Sequence, residues 1–162
     1  MFREMRRKKQ ILSFEECVEI LQKGTSGVLA VSGDDNYPYA VPLSYVYNDS
    51  KIYFHCAKAG HKIDAIAKNS KASFCVIDQD QIVPEEFTSY FRSVIAFGNA
   101  RILEEEEKRK AIMLLAVKYS PDQEEECSQE IDKSLPQLCM IELSIHYMTG
   151  KEAIELVRAK NS

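Results

Sequence analysis

The sequence predicts a mainly β protein with flanking helices, built as a six-stranded antiparallel barrel. Short runs rich in Val, Ile, Tyr and Phe recur along the chain, bounded by turns of Gly, Asn, Asp and Ser. Few long crossovers separate them, which favours antiparallel pairing over a parallel α/β sheet. There is no GxGxxG, Walker loop or GxSxG elbow, so a Rossmann dehydrogenase, an NTPase and an α/β-hydrolase are disfavoured.

Ser13 and Glu16 form a capping box, and Phe14, Cys17, Ile20 and Leu21 then fall at helical spacing up to Gly24. Val28 to Ser32 reads as the first strand, stopped by Gly33, Asp34, Asp35 and Asn36. Tyr37 to Tyr47 is the second; its Pro38 and Pro42 cannot donate to a ladder and belong at a strand start, a bulge or an edge that faces something other than a strand. After Asn48, Asp49 and Ser50, Lys51 to Cys56 is the third, and these three strands are expected to form a meander. A short helix follows Gly60 and ends near Asn69, Ala72 to Ile77 is the fourth strand, and Asp78 to Ser89 reads as a polar loop. Phe91 to Leu103 is the fifth strand, with Gly98 as a bulge or point of close approach, and Met140 to Met148 is the sixth. Between those two, Glu105 to Tyr119 is expected to be helical with Ile112, Leu115 and Tyr119 on one face, and a shorter helix is expected over Ile131 to Leu135.

With 162 residues and 45% hydrophobic content, the expectation is one domain over 1–162, with a basic N-terminal arm over 1–12. A net charge of -4 argues against general nucleic-acid binding despite Arg3, Arg6, Arg7, Lys8 and Lys9. The runs Glu104 to Glu107 and Glu124 to Glu126 read as solvated helix starts or loops. No apolar run approaches the ~20 residues of a membrane span, and no signal peptide is visible, so a cytoplasmic location is expected. Cys17, Cys56, Cys75, Cys127 and Cys139 show no CxxC pair and read as reduced thiols.

The stretch from Tyr53 to Ala65 runs from a strand end through a turn of small residues into a helix start. Backbone N–H groups, the positive end of a helix dipole, His61 and Lys62 converge there, a combination suited to an anion and to phosphate above all. The alternative is an exposed loop with solvated side chains. His55, Cys56 and His61 are ligand types for zinc, but neighbouring strand residues point to opposite faces. The same alternation argues against a thiolate pair of Cys56 with His55, so no metal and no cysteine nucleophile are expected.

Several segments, taken together, carry a family resemblance: Met5-Arg6-Arg7-Lys8, Gly27-Val28-Leu29-Ala30, Tyr37 through Tyr47, Ile52 through Ala57 with Gly60-His61-Lys62, Tyr90 through Val94, Gly98, and Thr149-Gly150-Lys151. In this order and spacing they resemble the 5-nitroimidazole resistance (Nim) branch of the pyridoxamine 5'-phosphate oxidase-like flavoproteins. The resemblance implies an FMN-binding split barrel that works as a homodimer, with two equivalent clefts at the subunit interface. It implies that Ala40, Val41, Pro42, Leu43 and Ser44 lie along the flavin ring. It further implies that the strand end at His55 and Cys56 leads into a phosphate-holding turn of Ala57, Gly60, His61, Lys62 and Ile63, and that Arg92 and Ser93 reach the flavin from the second subunit.

The implied activity is reduction of a small aromatic acceptor such as a 5-nitroimidazole, nitro to amine, with NAD(P)H or another carrier as electron donor and His55 as the catalytic residue. A barrel of this size is too small to enclose a flavin alone, which agrees with a dimer. The oxidases carry C-terminal basic and aromatic residues for pyridoxamine phosphate; this chain has Thr149-Gly150-Lys151 instead. The competing class is a non-catalytic module that binds flavin or haem, for which His55, His61 and His146 are candidate ligands.

Overall fold

The structure, a computed structural model, describes residues 1–122 and 124–162, with the side chains of residues 124–127 outside the described set. The expectations for solvation of the Glu124 to Glu126 run and for the Cys127 thiol therefore lie outside the described residues.

β1 (Ser26–Ser32), β2 (Pro38–Ser44), β3 (Val46–Asn48), β4 (Lys51–Ala57), β5 (Lys71–Val83), β6 (Thr88–Ile102) and β7 (Leu138–Glu152) form one sheet. Its order is β2-β1-β5-β6-β7-β4-β3, and every described pair is antiparallel. The two end strands, β2 and β3, are joined by Tyr45 alone. Two peptide units span at most about 7 Å, so the sheet must curl until its ends nearly meet without pairing. The result is the mainly β split-barrel architecture that the sequence predicts.

The strand count is seven rather than six, because Tyr37 to Tyr47 is two strands and not one. Tyr39, Val41, Leu43, Tyr45 and Tyr47 all pack on the barrel interior, so the two-residue alternation runs unbroken through the crossover and hides it. The expected meander fails for the same reason: β2 pairs with β1, whereas β4 pairs with β3 and β7. Asp78 to Ser89 is likewise not a loop. β5 and β6 continue outward as a ribbon, Asp80 opposite Phe91 and Ile82 opposite Ser89, turning at Pro84–Glu86 with Phe87 at φ 51°. Asp80, Gln81 and Ile82 are all exposed, so no apolar face marks the ribbon in the sequence.

Among the described residues five α-helices flank the sheet. α1 (Phe14–Lys23) carries the expected capping box, with Glu16 N–H donating to Ser13 Oγ at 3.1 Å and Ser13 N–H donating to the Glu16 carboxylate at 2.8 Å. α2 (His61–Lys68) and α3 (Glu105–Tyr119) match the sequence reading, while α4 (Glu124–Ser134) starts earlier than expected and α5 (Ile154–Lys160) is not anticipated by it. Gly98 sits at a register shift between β6 and β7. A Cβ there would lie 1.8 Å from the Ser144 carbonyl oxygen, so only glycine fits.

The barrel is filled by Leu29, Ile52, Phe54, Phe74, Val76, Val94 and Leu143, with Ile20 and Leu21 of α1 closing one side. A second core lies outside the barrel, where Ile112 and Leu115 of α3 and Ile131 of α4 pack on Val46, Leu103 and Met140. Near the N-terminus, Phe2 stacks on Tyr147 with ring centroids 4.7 Å apart. Among the described residues Cys17, Cys56, Cys75 and Cys139 are free thiols, and no helix is long and apolar enough to cross a membrane.

Candidate functional site

The split in the barrel is where chemistry can be held. β2 is an end strand paired only with β1, and Pro42 at its centre has no N–H to offer a further strand. β3 covers β4 only as far as Tyr53, so Phe54 to Ala57 have β7 on one side and no strand on the other among the described residues. Two unfilled backbone edges thus face a common gap, each a row of hydrogen-bonding groups available to a planar polar ligand. Along β2 the exposed residues are Pro38, Ala40, Pro42 and Ser44, while Val41 and Leu43 turn inward to the core. On β4 His55 and Ala57 are exposed, and Cys56 is buried between them.

Directly after β4 the chain reaches α2, whose N-terminus is open. Gly60, at φ 131°, is its N-cap without any side-chain cap, and the first helical bonds run from Ile63 and Asp64 N–H to Gly60 O. The N–H groups of His61 and Lys62 therefore have no intrahelical acceptor. Lys62 is half-buried and makes no hydrogen bond or ion pair among the described side chains. A partly desolvated ammonium beside uncapped helix N–H groups is a site for an anionic oxygen ligand. Ile63 is buried and anchors the helix to the barrel core.

His61 is engaged elsewhere. Its ring stacks on Tyr39 with centroids 4.1 Å apart, and its Nε2 accepts from Asp34 N–H at 3.3 Å. It holds the β1–β2 turn against α2 rather than presenting a ring nitrogen to the helix N-terminus. Cys56 faces Cys139 across the β4–β7 ladder, and burial, with the neighbouring thiol, pushes its pKa up to about 12. Such a thiol stays protonated and unreactive at neutral pH.

His55 opens instead onto an outer cavity of about 350 Å³ lined by Ser44, His55, Ile112, Leu115, Ala116, Tyr119 and Leu138. The sequence places Ile112, Leu115 and Tyr119 on one helical face; that this face, with Ala116, would close over His55 depends on how α3 docks. Tyr119 fixes that docking. Its hydroxyl accepts from Tyr45 N–H at 3.1 Å and also contacts the carbonyl oxygens of Tyr45 and Thr25.

Arg92 and Ser93 are not brought to this site. Arg92 is opposite Glu152 at one end of β7, and His55 is opposite Met140 at the other, roughly 35–40 Å away along the strand at ~3.3 Å per residue. Arg92 instead donates to the buried Glu152 carboxylate at 2.8 Å, a group also bound by Lys160 at 2.7 Å. His146 is exposed on β7 and borders a different cavity beside Met1 and Phe2.

A split barrel with an uncapped helix start beside an open strand edge is a scaffold able to hold a planar anionic ligand. Residues 13–152 match the family model for pyridoxamine 5'-phosphate oxidase, and the chain belongs to that family. Among curated proteins no sequence matches. Among solved structures, a candidate 5-nitroimidazole antibiotic resistance protein from Bacteroides thetaiotaomicron superposes with a TM-score of 0.73 at 19% identity, covering 88% of this chain and 86% of its own. A flavocytochrome from Azotobacter vinelandii gives a TM-score of 0.80 at 19% identity, covering 98% and 79%. An FAD-binding protein from Mesorhizobium loti gives 0.63 at 25% identity, covering 89% and 97%.

Proposed function

We propose that this protein is an FMN-binding flavoprotein that works as a homodimer and reduces small aromatic acceptors such as 5-nitroimidazoles, with NAD(P)H or another carrier as electron donor. The observation that carries the reading is the unpaired, half-buried Lys62 at the uncapped N-terminus of α2, next to the open edges of β2 and β4. Lys62 and the N–H groups of His61 and Lys62 would hold the phosphate. Ala40 to Ser44, with His55, Cys56 and Ala57, would border the ring through strand edges that already lack partners. The residues at hand fit such a group: one cation, several free donors and a slot without a strand.

When bound, a flavin supplies the redox chemistry, taking electrons from the donor and passing them on. The chain's part is to orient the acceptor in the cavity under α3 and to place His55 where a proton can be given to it. Arg92 and Ser93, too far to act within their own chain, would enter the partner's site. An apolar row of the exposed Val28 and Ile95 with half-buried Cys75 between them, side by side on β1, β5 and β6, is the face by which a second copy would approach.

The test is the absorption spectrum of the purified protein, with FMN, FAD and haem titrated separately and the mass measured by light scattering. Flavin bands, FMN preferred over FAD and a dimeric mass are expected. A colourless protein that binds no flavin overturns the reading. A Soret band, or flavin that no acceptor reoxidises, supports the second reading, a non-catalytic flavin- or haem-binding module, which the flavocytochrome and FAD-binding relatives favour.

A further inference from the structure

We propose that Ala116 on α3 sets the size limit of the acceptor cavity, whose described lining favours uncharged aromatic molecules. This rests on the flavin reading above and adds to it a specificity-determining residue. The cavity, about 350 Å³, is at the small end for ligand sites, room for a compact aromatic molecule. Among the described residues its polar side chains are Ser44 and His55 on the strand side and Tyr119 at the helix end. Tyr119 is committed to the backbone of Tyr45 and Thr25. Among the described residues no side chain with a fixed charge lines the space. The nearest lysine on α3, Lys118, is turned away, donating to the carbonyl oxygens of Gly24 and Tyr45 and standing 4.3 Å over the Tyr45 ring. An anionic acceptor would find no fixed positive charge among those side chains, only the Ser44 hydroxyl and the His55 imidazole to offset its lost hydration.

Ala116 decides how much space is left, because it is the smallest residue in a wall otherwise built from Ile112, Leu115 and Leu138. It is half-buried and faces open volume, so a larger side chain there can enter the cavity without displacing the core. Two pins hold the wall in place, Tyr119 and Lys118, both bound to the crossover residue that follows Ser44. A change at residue 116 is thus felt at His55.

The experiment uses the FMN-loaded protein and two probes of matched shape, 4-nitrobenzamide and 4-nitrobenzoate. Binding is followed by perturbation of the flavin spectrum, and acceptance by anaerobic reoxidation of the dithionite-reduced protein. Wild type is expected to bind the amide about tenfold or more tightly than the carboxylate. Ala116→Phe is expected to weaken the amide by about tenfold or more while FMN content stays the same. Ala116→Lys is expected to invert the preference in favour of the carboxylate, which a purely structural role would not produce. Unchanged amide binding in Ala116→Phe overturns the proposal. So does loss of FMN in proportion to the acceptor, which would mean the cavity holds the cofactor. Wild type that carries FMN and responds to neither probe nor 2-methyl-5-nitroimidazole overturns the acceptor reading together with this one, whereas wild type that responds and a variant that does not differ overturns only the role of Ala116.

Discussion

The Tyr119 hydroxyl accepts a hydrogen bond from Tyr45 N–H at 3.1 Å, so the last residue of α3 is tied to the one residue that carries the chain between the two ends of the sheet. Tyr45 is fully buried and lies outside the strand ladders, so its N–H depends on this side chain. Tyr119→Phe leaves that donor unpaired and is expected to cost ~1–3 kcal/mol of stability, read as a lower midpoint in urea denaturation. Acceptor binding should weaken as well, since the wall over His55 loses its anchor.

Lys62 offers a direct test of the anion site. Lys62→Ala removes one charge-assisted contact, expected to be worth ~1.5–3 kcal/mol, or roughly a tenfold to hundredfold loss of FMN affinity. Titration of riboflavin, which has no phosphate, should show almost no difference between the two proteins. Equal loss for both ligands would place Lys62 away from the phosphate.

Gly98→Ala places a Cβ 1.8 Å from a backbone oxygen of β7, and neither strand can move without breaking the register that follows the bulge. The expected cost is roughly 3 kcal/mol or more, within the range reserved for core and backbone clashes. Thermal unfolding of the variant, or its failure to accumulate as folded protein, checks this.

Glu142 is buried on β7, where burial works against its charged form, yet hydrogen bonds from Arg101 at 3.0 Å, Lys51 at 3.1 Å and Ser144 at 3.1 Å outweigh it and hold the carboxyl below the usual range. A depressed folded-state pKa adds stability that is complete above the unfolded value of ~4.3 and is lost as the pH falls through the lower folded value. Stability should therefore drop on acidification below about pH 4, and Glu142→Gln should flatten that part of the curve. At neutral pH the variant is expected to lose up to about 3 kcal/mol, limited because Arg101 keeps its pair with Glu107.

Much of the fold is legible because its signals are local. The Ser13 and Glu16 box, the Gly60 turn, the α3 span and the Gly98 bulge each depend on neighbours in sequence or on one close approach. The crossover at Tyr45 is not legible, since inward-facing residues continue at every second position through it. The β5–β6 ribbon is hidden by the reverse condition, exposure on both faces. At the candidate site, alternation separates His55 from Cys56 correctly, and the helix start marks Lys62. His61 is diverted by a turn distant in sequence, and the part of Ala116 and Leu138 in the cavity follows from helix docking, which no spacing rule encodes.

His55 is the residue on which the proposed turnover depends. It is exposed on β4, opposite Met140, with the apolar α3 wall across from it and Ser44 as the other strand-side polar group. An imidazole can carry a proton on either ring nitrogen and hand it on, which suits protonation of a nitro oxygen as electrons arrive. Ser44 offers a hydroxyl but no such proton reservoir. His55→Ala should therefore keep FMN, since the proposed phosphate site lies at α2, and slow anaerobic reoxidation by a 5-nitroimidazole by ~10²-fold or more. His55→Gln, which retains a donor but not an acid, should remain slow while binding the acceptor normally. Wild-type rates in both variants at unchanged flavin content would remove His55 from the reaction and leave Ser44 as the polar group to test next.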